Sequence, residues 1–159
     1  MRTSRFLFIS MLAGIAVQAV QRVQLSEFHA LSIDTTEWNA FETRLLGNRD
    51  FLFEHRRIPS LRGLARTEYQ DLQQGKTSDD YLKNLCSQRK GHVNTERKGL
   101  RLCELPQAAP NVMQFLAVAS VKTNRVAIDS LTFALPKTFE TQARKRVEAL
   151  VESWGPRHE

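Results

Sequence analysis

The stretch Asn111–Trp154 decides the fold of this chain, and it reads NVMQFLAVASVKTNRVAIDSLTFALPKTFETQARKRVEALVESW. Two apolar runs, Val112–Val121 and Arg125–Leu135, lie on either side of the short polar turn Lys122–Asn124. Such a pattern predicts a β-hairpin. After Pro136, apolar residues recur at spacings of three, four and seven, which is typical of a helix with one buried face. These residues are Phe139, Ala143, Val147, Leu150, Val151 and Trp154.

The predicted fold class is α+β, with helices covering one antiparallel sheet. The sheet is expected to contain the hairpin 112–135, a strand at 99–105 and one or more earlier strands, about four to six in all. A long C-terminal helix at 138–154 is predicted to cover this sheet. Shorter helices are predicted near 35–46 and 79–87. The segment 20–159 is expected to be a single domain.

The two shorter helices are predicted from their first residues. Asp34 followed by Glu37 fits a capping box, and the aromatic residues Trp38 and Phe41 then have helical spacing. Ser78 and the aspartates after it favour a second helix start, because carboxylates are stabilised at the positive end of a helix.

In the second strand of the hairpin, the apolar positions change parity along the chain. Val126 and Ile128 share one parity, whereas Leu131 and Phe133 share the other. Because side chains alternate between the two faces of a strand, the change predicts a bulge or sharp twist near Asp129.

The first residues have the layout of a secretory signal peptide. Arg2 and Arg5 precede the apolar run Phe6–Val17, and Ala19 offers a small residue for cleavage. We therefore predict a signal peptide at 1–19 and a periplasmic or secreted protein. The alternative is a retained membrane anchor, although a bilayer span needs about 20 apolar residues and polar residues interrupt this run early. Contact with a membrane is expected only if the segment is retained.

The net charge is +6, from 23 basic and 17 acidic residues. Without the two leader arginines the difference is 21 minus 17, or +4. A mildly basic exported chain is suited to an acidic protein partner. Nucleic-acid binding is not expected, because the sequence contains no recognised binding module.

Cys86 and Cys103 are the two cysteines of the chain. An even number in an exported protein predicts a disulfide bond, which would close a loop of about 16 residues and stabilise the fold by roughly 3 kcal/mol. A zinc site is not predicted, because a structural site needs four ligands at recognisable spacing.

The loop between the cysteines carries the candidate binding residues. They are Arg89, Lys90, Arg97, Lys98 and Arg101. If the disulfide fixes both ends, these cations could receive a carboxylate, a phosphate or an acidic protein surface. The alternative is a solvated, charged turn. A second basic group, at positions 55–57 with Arg62 and Arg66, has no spacing that would fix an anion site.

No catalytic residues, metal ligands or cofactors are predicted, because no nucleophile elbow, zinc motif or phosphate loop occurs in the sequence. The sequence therefore indicates an exported, non-catalytic interaction protein, such as an inhibitor, an immunity-type protein or an assembly accessory. One alternative is a module that binds a small molecule or lipid in a cavity between helix and sheet. The other is a hydrolase whose site assembles from distant residues.

Overall fold

The computed structural model describes residues 19–44, 49–94, 99–105, 109–122 and 124–157. Of these residues, 49% lie in strands and 20% in helices. The strands are β1 (Val20–Gln24), β2 (His29–Asp34), β3 (Trp38–Thr43), β4 (Asp50–His55), β5 (Arg62–Asp71), β6 (His92–Val93), β7 (Cys103–Leu105), β8 (Val112–Lys122), β9 (Arg125–Ala134) and β10 (Gly155–Pro156). The helices are α1 (Ser78–Gln88) and α2 (Glu140–Val151).

The predicted hairpin 112–135 is confirmed as strands β8 and β9. They pair in antiparallel register from Val112 opposite Ala134 to Lys122 opposite Arg125. The register shifts once, between Ser120 and Lys122. This hairpin forms the middle of a seven-stranded antiparallel sheet with the order β3-β4-β5-β9-β8-β7-β6. The strand predicted at 99–105 contributes its last three residues, β7.

A second, smaller sheet lies over the first. It has the order β1-β2-β10, and all its pairs are antiparallel. The main core lies between this sheet, together with α2, and the inner face of the seven-stranded sheet. Its fully buried side chains include Leu31 and Ile33 from β2, Phe53 and Phe133 from the large sheet, and Val147 from α2.

The predicted fold class is wrong, because the described chain is mostly β-structure in two sheets and has no long C-terminal helix covering a sheet. The predicted helix 138–154 is replaced by a 3-10 turn at Lys137–Phe139 and the 12-residue helix α2. Trp154 lies beyond α2 and is buried, while Phe139 is 41% exposed. The regular apolar spacing therefore extends beyond both ends of α2 and overestimates its length. Trp154 is buried although it does not belong to the helix.

The helix predicted near 35–46 is also wrong, because Trp38–Thr43 forms β3 (residues 45–46 are outside the described residues). Asp34 does cap the next amide groups, but it closes a turn: its carboxylate accepts from Thr36 N at 2.8 Å and its carbonyl from Glu37 N at 3.0 Å. Aspartate serves helix starts and tight turns through the same hydrogen bond. Strand geometry then places Trp38 in the core and leaves Phe41 49% exposed.

The helix predicted at 79–87 is confirmed as α1. Its N-cap is Thr77, whose hydroxyl accepts from Asp80 N while the Asp80 carboxylate accepts from Thr77 N, each at 3.1 Å. The buried side of α1, including Leu82 and Cys86, covers part of the outer face of the large sheet, which is the face turned away from the small sheet.

The bulge expected near Asp129 is wrong. Strand β9 pairs without a register shift there on either side, from Thr67 opposite Asp129 in β5 to Ala117 opposite Asp129 in β8. The parity changes because the cover of the strand changes: Val126 and Ile128 lie in the cluster beneath α1, and Leu131 and Phe133 face the main core. Strand β9 therefore buries both faces over its first half, where Ala127 and Asp129 are buried as well, and mainly the inner face over its second half.

Candidate functional site

The predicted disulfide is present. Cys86 in α1 and Cys103 in β7 are joined with an S–S distance of 2.07 Å and a Cα–Cα distance of 5.7 Å. Both cysteines are buried beside Leu105 and Leu116. The bond therefore fastens α1 to the outer face of the sheet and holds both ends of the loop that carries the predicted binding residues.

Arg89 and Lys90 lie where α1 ends, and both are exposed. The chain turns sharply here: Lys90 N donates to Ser87 O at 3.1 Å, and Gly91 N donates to Cys86 O at 2.8 Å. This pattern requires a left-handed residue after the helix. Lys90 supplies it with a φ of 55°. The two cationic side chains are thus presented by a defined backbone next to the disulfide.

Arg101 lies at the opposite end of α1. Its Nη1 donates to both carboxylate oxygens of Asp79, at 2.8 and 2.9 Å. Lys83 Nζ reaches the same carboxylate at 2.7 Å. These hydrogen bonds, from Lys83 first and then from Arg101, hold the pKa of Asp79 below its usual value. An 11-residue helix is about 16 Å long, so the structure does not bring Arg101 together with Arg89 and Lys90.

Two of the predicted binding residues, Arg97 and Lys98, lie outside the described residues. In the second basic group, two of the arginines form ion pairs within the chain: Arg62 Nε lies 3.2 Å from Glu54, and Arg66 Nη2 lies 3.1 Å from Asp50. Each of these two arginines is bonded to its own carboxylate on the large sheet. They do not form a common anion site.

A shallow depression of about 530 Å³ opens beside Arg101, between α1, the small sheet and β8. Its lining residues are Phe28, His29, Ser78, Asp79, Leu82, Gly99, Leu100, Arg101, Val118, Ala119 and Pro156. The surface that adjoins the disulfide-held loop thus offers an ion cluster and an apolar floor in one place.

A buried polar network lies beneath this depression, and the sequence analysis missed it. Asp129 is 1% exposed. Its carboxylate accepts from Ser26 Oγ at 2.7 Å and from Thr67 Oγ1 at 2.5 Å, and it lies 2.5 Å from His29 Nδ1. The parity change at Asp129 was the available signal, since a polar residue at an inward position needs partners.

Serine, histidine and aspartate meet in this network, but their order differs from that of a hydrolase triad. The Ser26 hydroxyl donates to Asp129 and accepts from the amides of Phe28 and His29, at 3.1 and 3.2 Å. In a triad the histidine must instead accept the serine proton. The network therefore fixes the small sheet to β9 and β5 and does not activate the serine.

A second buried histidine, His55, lies at the other end of the large sheet. Its Nδ1 accepts from the amides of Arg57 and Ile58, at 3.1 and 3.0 Å, and its ring meets Trp38 edge-on. Burial lowers the pKa of His55, because the charged form loses its hydration. Neutral His55 is thus the form that the fold stabilises.

A smaller cavity of about 250 Å³ lies between the C-terminal end of α2 and the large sheet. It is lined by Asn94, Leu100, Leu102, Glu104, Phe115, Glu148, Val151, Glu152 and Trp154. Trp154 Nε1 is buried and has no hydrogen-bond partner among the described residues. The volume is below the usual range for drug-sized ligands, and the carboxylates do not suit a lipid chain.

In the described part of the chain, no group of three or more histidine, cysteine, aspartate or glutamate residues could hold a metal ion. No helix among the described residues is long and apolar enough to cross a bilayer. The predicted leader at 1–19 falls almost wholly outside the described residues and stays a prediction.

The sequence matches no known protein family, and no curated protein is significantly similar to it. Among solved structures, the chain is similar to the solution structure of cyanobacterial PsbP (CyanoP) from Synechocystis sp. PCC 6803. The comparison covers 92% of this chain and 97% of that chain, with a TM-score of 0.49 and 9% sequence identity. A likeness this distant carries no information about a partner or an activity.

Proposed function

We propose that this chain is an exported, non-catalytic protein that recognises another protein through an acidic surface of its partner. The observation that carries the proposal is the position of Arg89 and Lys90. They are exposed on a left-handed turn that follows directly from the disulfide-bonded helix. A preorganised backbone loses little conformational freedom on binding, which favours recognition.

The disulfide supports the predicted compartment, because such bonds persist in oxidising environments outside the cytosol. The polar groups that bond to each other within the fold support a non-catalytic role: Asp129 accepts from Ser26 and Thr67, and Arg101 is bonded to Asp79. Arg97 and Lys98 lie between this turn and Arg101 in the sequence.

The proposal is tested by affinity capture from the envelope fraction of the producing cell, with the full chain as bait. We expect one stoichiometric partner, whose capture weakens as salt rises because the contacts are charged. The double substitution Arg89→Glu/Lys90→Glu should abolish capture. The matched control is Lys137→Glu/Lys145→Glu, which lowers the net charge equally on exposed positions near and within α2. Equal loss with both variants would show a general charge effect and would refute the proposed surface.

A second candidate function is the binding of a small amine in the cavity beside Trp154. Three glutamates line this cavity, although Glu104 also lies 3.4 Å from His92 Nε2. With Trp154 Nε1, which has no partner in the described part of the chain, they suit a cation that also carries a hydrogen-bond acceptor. Titration calorimetry with ethanolamine, compared between the wild type and Glu148→Gln, tests this function. Absence of saturable binding, together with no retained ligand in native mass spectrometry, would remove it.

A further inference from the structure

The outer face of the large sheet carries an apolar row that α1 does not cover. Phe41 in β3 lies directly opposite Leu52 in β4, and Leu52 lies directly opposite Leu64 in β5. Phe41 is 49% exposed and Leu52 is 38% exposed. We call these three residues the bare row. Directly opposed side chains on one face form a continuous surface, so the bare row is a single apolar strip that ends at the sheet edge.

Strand β3 is the edge strand next to the bare row. The outward-facing amide and carbonyl groups of an edge strand are a template for pairing with another strand. The opposite edge, β6, is only two residues long, and short edge strands resist such pairing. Trp38–Thr43 has six residues and contains no proline or lysine, which are common means of protecting an edge. Its one charged residue, Glu42, is paired with Arg49.

The charges around the bare row are neutralised within the chain. On the outer face, the Asp50–Arg66 and Glu54–Arg62 pairs lie on either side of the row, at 3.1 and 3.2 Å. Glu42 in β3 pairs with Arg49 at 3.0 Å. A chain with a net charge of +6 repels a second copy in general, but the three residues of the bare row are uncharged and add no like-charge contact of their own.

We propose that two copies of this chain associate through β3, which pairs antiparallel with β3 of the second copy. A two-fold axis at Phe41 places Phe41 opposite Phe41 of the second copy and Ala40 opposite Glu42. The two bare rows then form one continuous strip, and the two large sheets become one. Moving the axis by one residue to Glu42 would place two carboxylates opposite each other, which is destabilising. Moving the axis to Ala40 would place Phe41 opposite Asn39 of the second copy and would separate the two bare rows. The axis at Phe41 is therefore the register that we propose.

This dimer is independent of the partner-binding surface proposed above. Strand β3 is one edge of the large sheet, whereas the turn at Lys90 follows α1. Its first test is analytical ultracentrifugation of the full chain over a range of concentrations. We expect a reversible dimer for the wild type and a monomer for Phe41→Glu at every concentration. Phe139→Glu is the matched control, since Phe139 is similarly exposed at 41%, and it should dimerise like the wild type.

Circular dichroism of each variant verifies that it is folded. A wild type that stays monomeric at the highest concentration would overturn the proposal, as would a Phe41→Glu variant that still dimerises. The proposal would also be overturned if the wild type is monomeric and Phe41→Glu no longer captures the envelope partner. The bare row would then bind a different protein.

The register has its own test, by cysteine cross-linking. Phe41→Cys should form a disulfide-linked dimer on mild oxidation, because the two cysteines face each other. Thr43→Cys should not, since its copy would lie four residues away along the strand, about 13 Å, beyond the reach of a disulfide. Mixing Thr43→Cys with Asn39→Cys should restore the link. Equal cross-linking of Phe41→Cys and Thr43→Cys would contradict the register.

Discussion

The two halves of the outer face of the large sheet differ in what covers them. Over β8 and the first part of β9, α1 buries Leu116, which is 2% exposed, and the disulfide fastens the helix in place. Over β3 and β4 nothing in the described chain covers Leu52, which is 38% exposed. Both are leucines in strands of one sheet. Their different burial shows that the cover, rather than the strand, decides which leucine stabilises the fold.

Removal of the disulfide should have the largest effect on this difference. We expect Cys86→Ser/Cys103→Ser to lower the free energy of unfolding by about 3 kcal/mol, since the closed loop restricts the unfolded chain. Urea denaturation measures the loss. Hydrogen exchange should accelerate in α1 but not in β3 or β4. Uniform acceleration would mean that α1 is not held locally by the bond.

A matched pair of leucine substitutions compares the two halves directly. Leu116→Ala should cost about 2–3 kcal/mol, because it leaves a cavity under α1. Leu52→Ala should cost less than about 1 kcal/mol, because much of its side chain is in water. Both are measured by urea denaturation of dilute protein, where association is negligible. Similar losses would show that the bare row is covered in solution.

Lowering the pH should decrease the free energy of unfolding through His55, which lies at the end of β4. Its pKa in the folded protein lies below the unfolded value, so the unfolded state binds the proton first. Stability should therefore fall as pH decreases below about 6.5 and level off below the folded pKa. His55→Asn keeps an acceptor for the Arg57 and Ile58 amides but does not titrate. Its unfolding free energy should lack this part of the pH dependence, and an unchanged profile would assign the dependence to another group.

The smallest expected effects come from two left-handed residues, one in each half. Ser60, between β4 and β5, has a φ of 63°, and Lys90, after α1, has a φ of 55°. Ser60→Gly and Lys90→Gly should each raise the free energy of unfolding by up to about 1 kcal/mol, because glycine adopts this conformation without steric cost. Thermal unfolding measures the gain. Lys90→Gly should also weaken partner capture, whereas Ser60→Gly should not.

The parts of the fold that sequence reasoning predicted correctly depend on local signals. Two apolar runs on either side of a polar turn specified the β8–β9 hairpin, and an acidic first turn specified α1. The errors came from signals with two structural meanings. Asp34 caps a turn as readily as a helix, and the aromatic spacing of Trp38 and Phe41 then placed one ring in the core and one in water.

The candidate site was predictable to a similar degree. The predicted leader, the even number of cysteines and the charged loop pointed to Cys86, Cys103 and the cations at Arg89 and Lys90. The bond between Arg101 and Asp79 could not be predicted, because it depends on where α1 lies against the loop. The Asp129 network likewise joins residues about 100 positions apart in sequence, and no local pattern encodes such a contact.

The sequence by itself determined the central hairpin and the helix between Thr77 and the turn at Lys90, because neighbouring residues along the chain set these features. It also determined the disulfide, because Cys86 and Cys103 are the two cysteines of the chain. The tertiary structure alone decided which faces of the sheet are covered, and so which apolar residues are buried. The apolar pattern of β9 reflects burial by α1 on one face and by the small sheet on the other. The sequence of β9 identifies neither of them, because both are formed by distant segments of the chain.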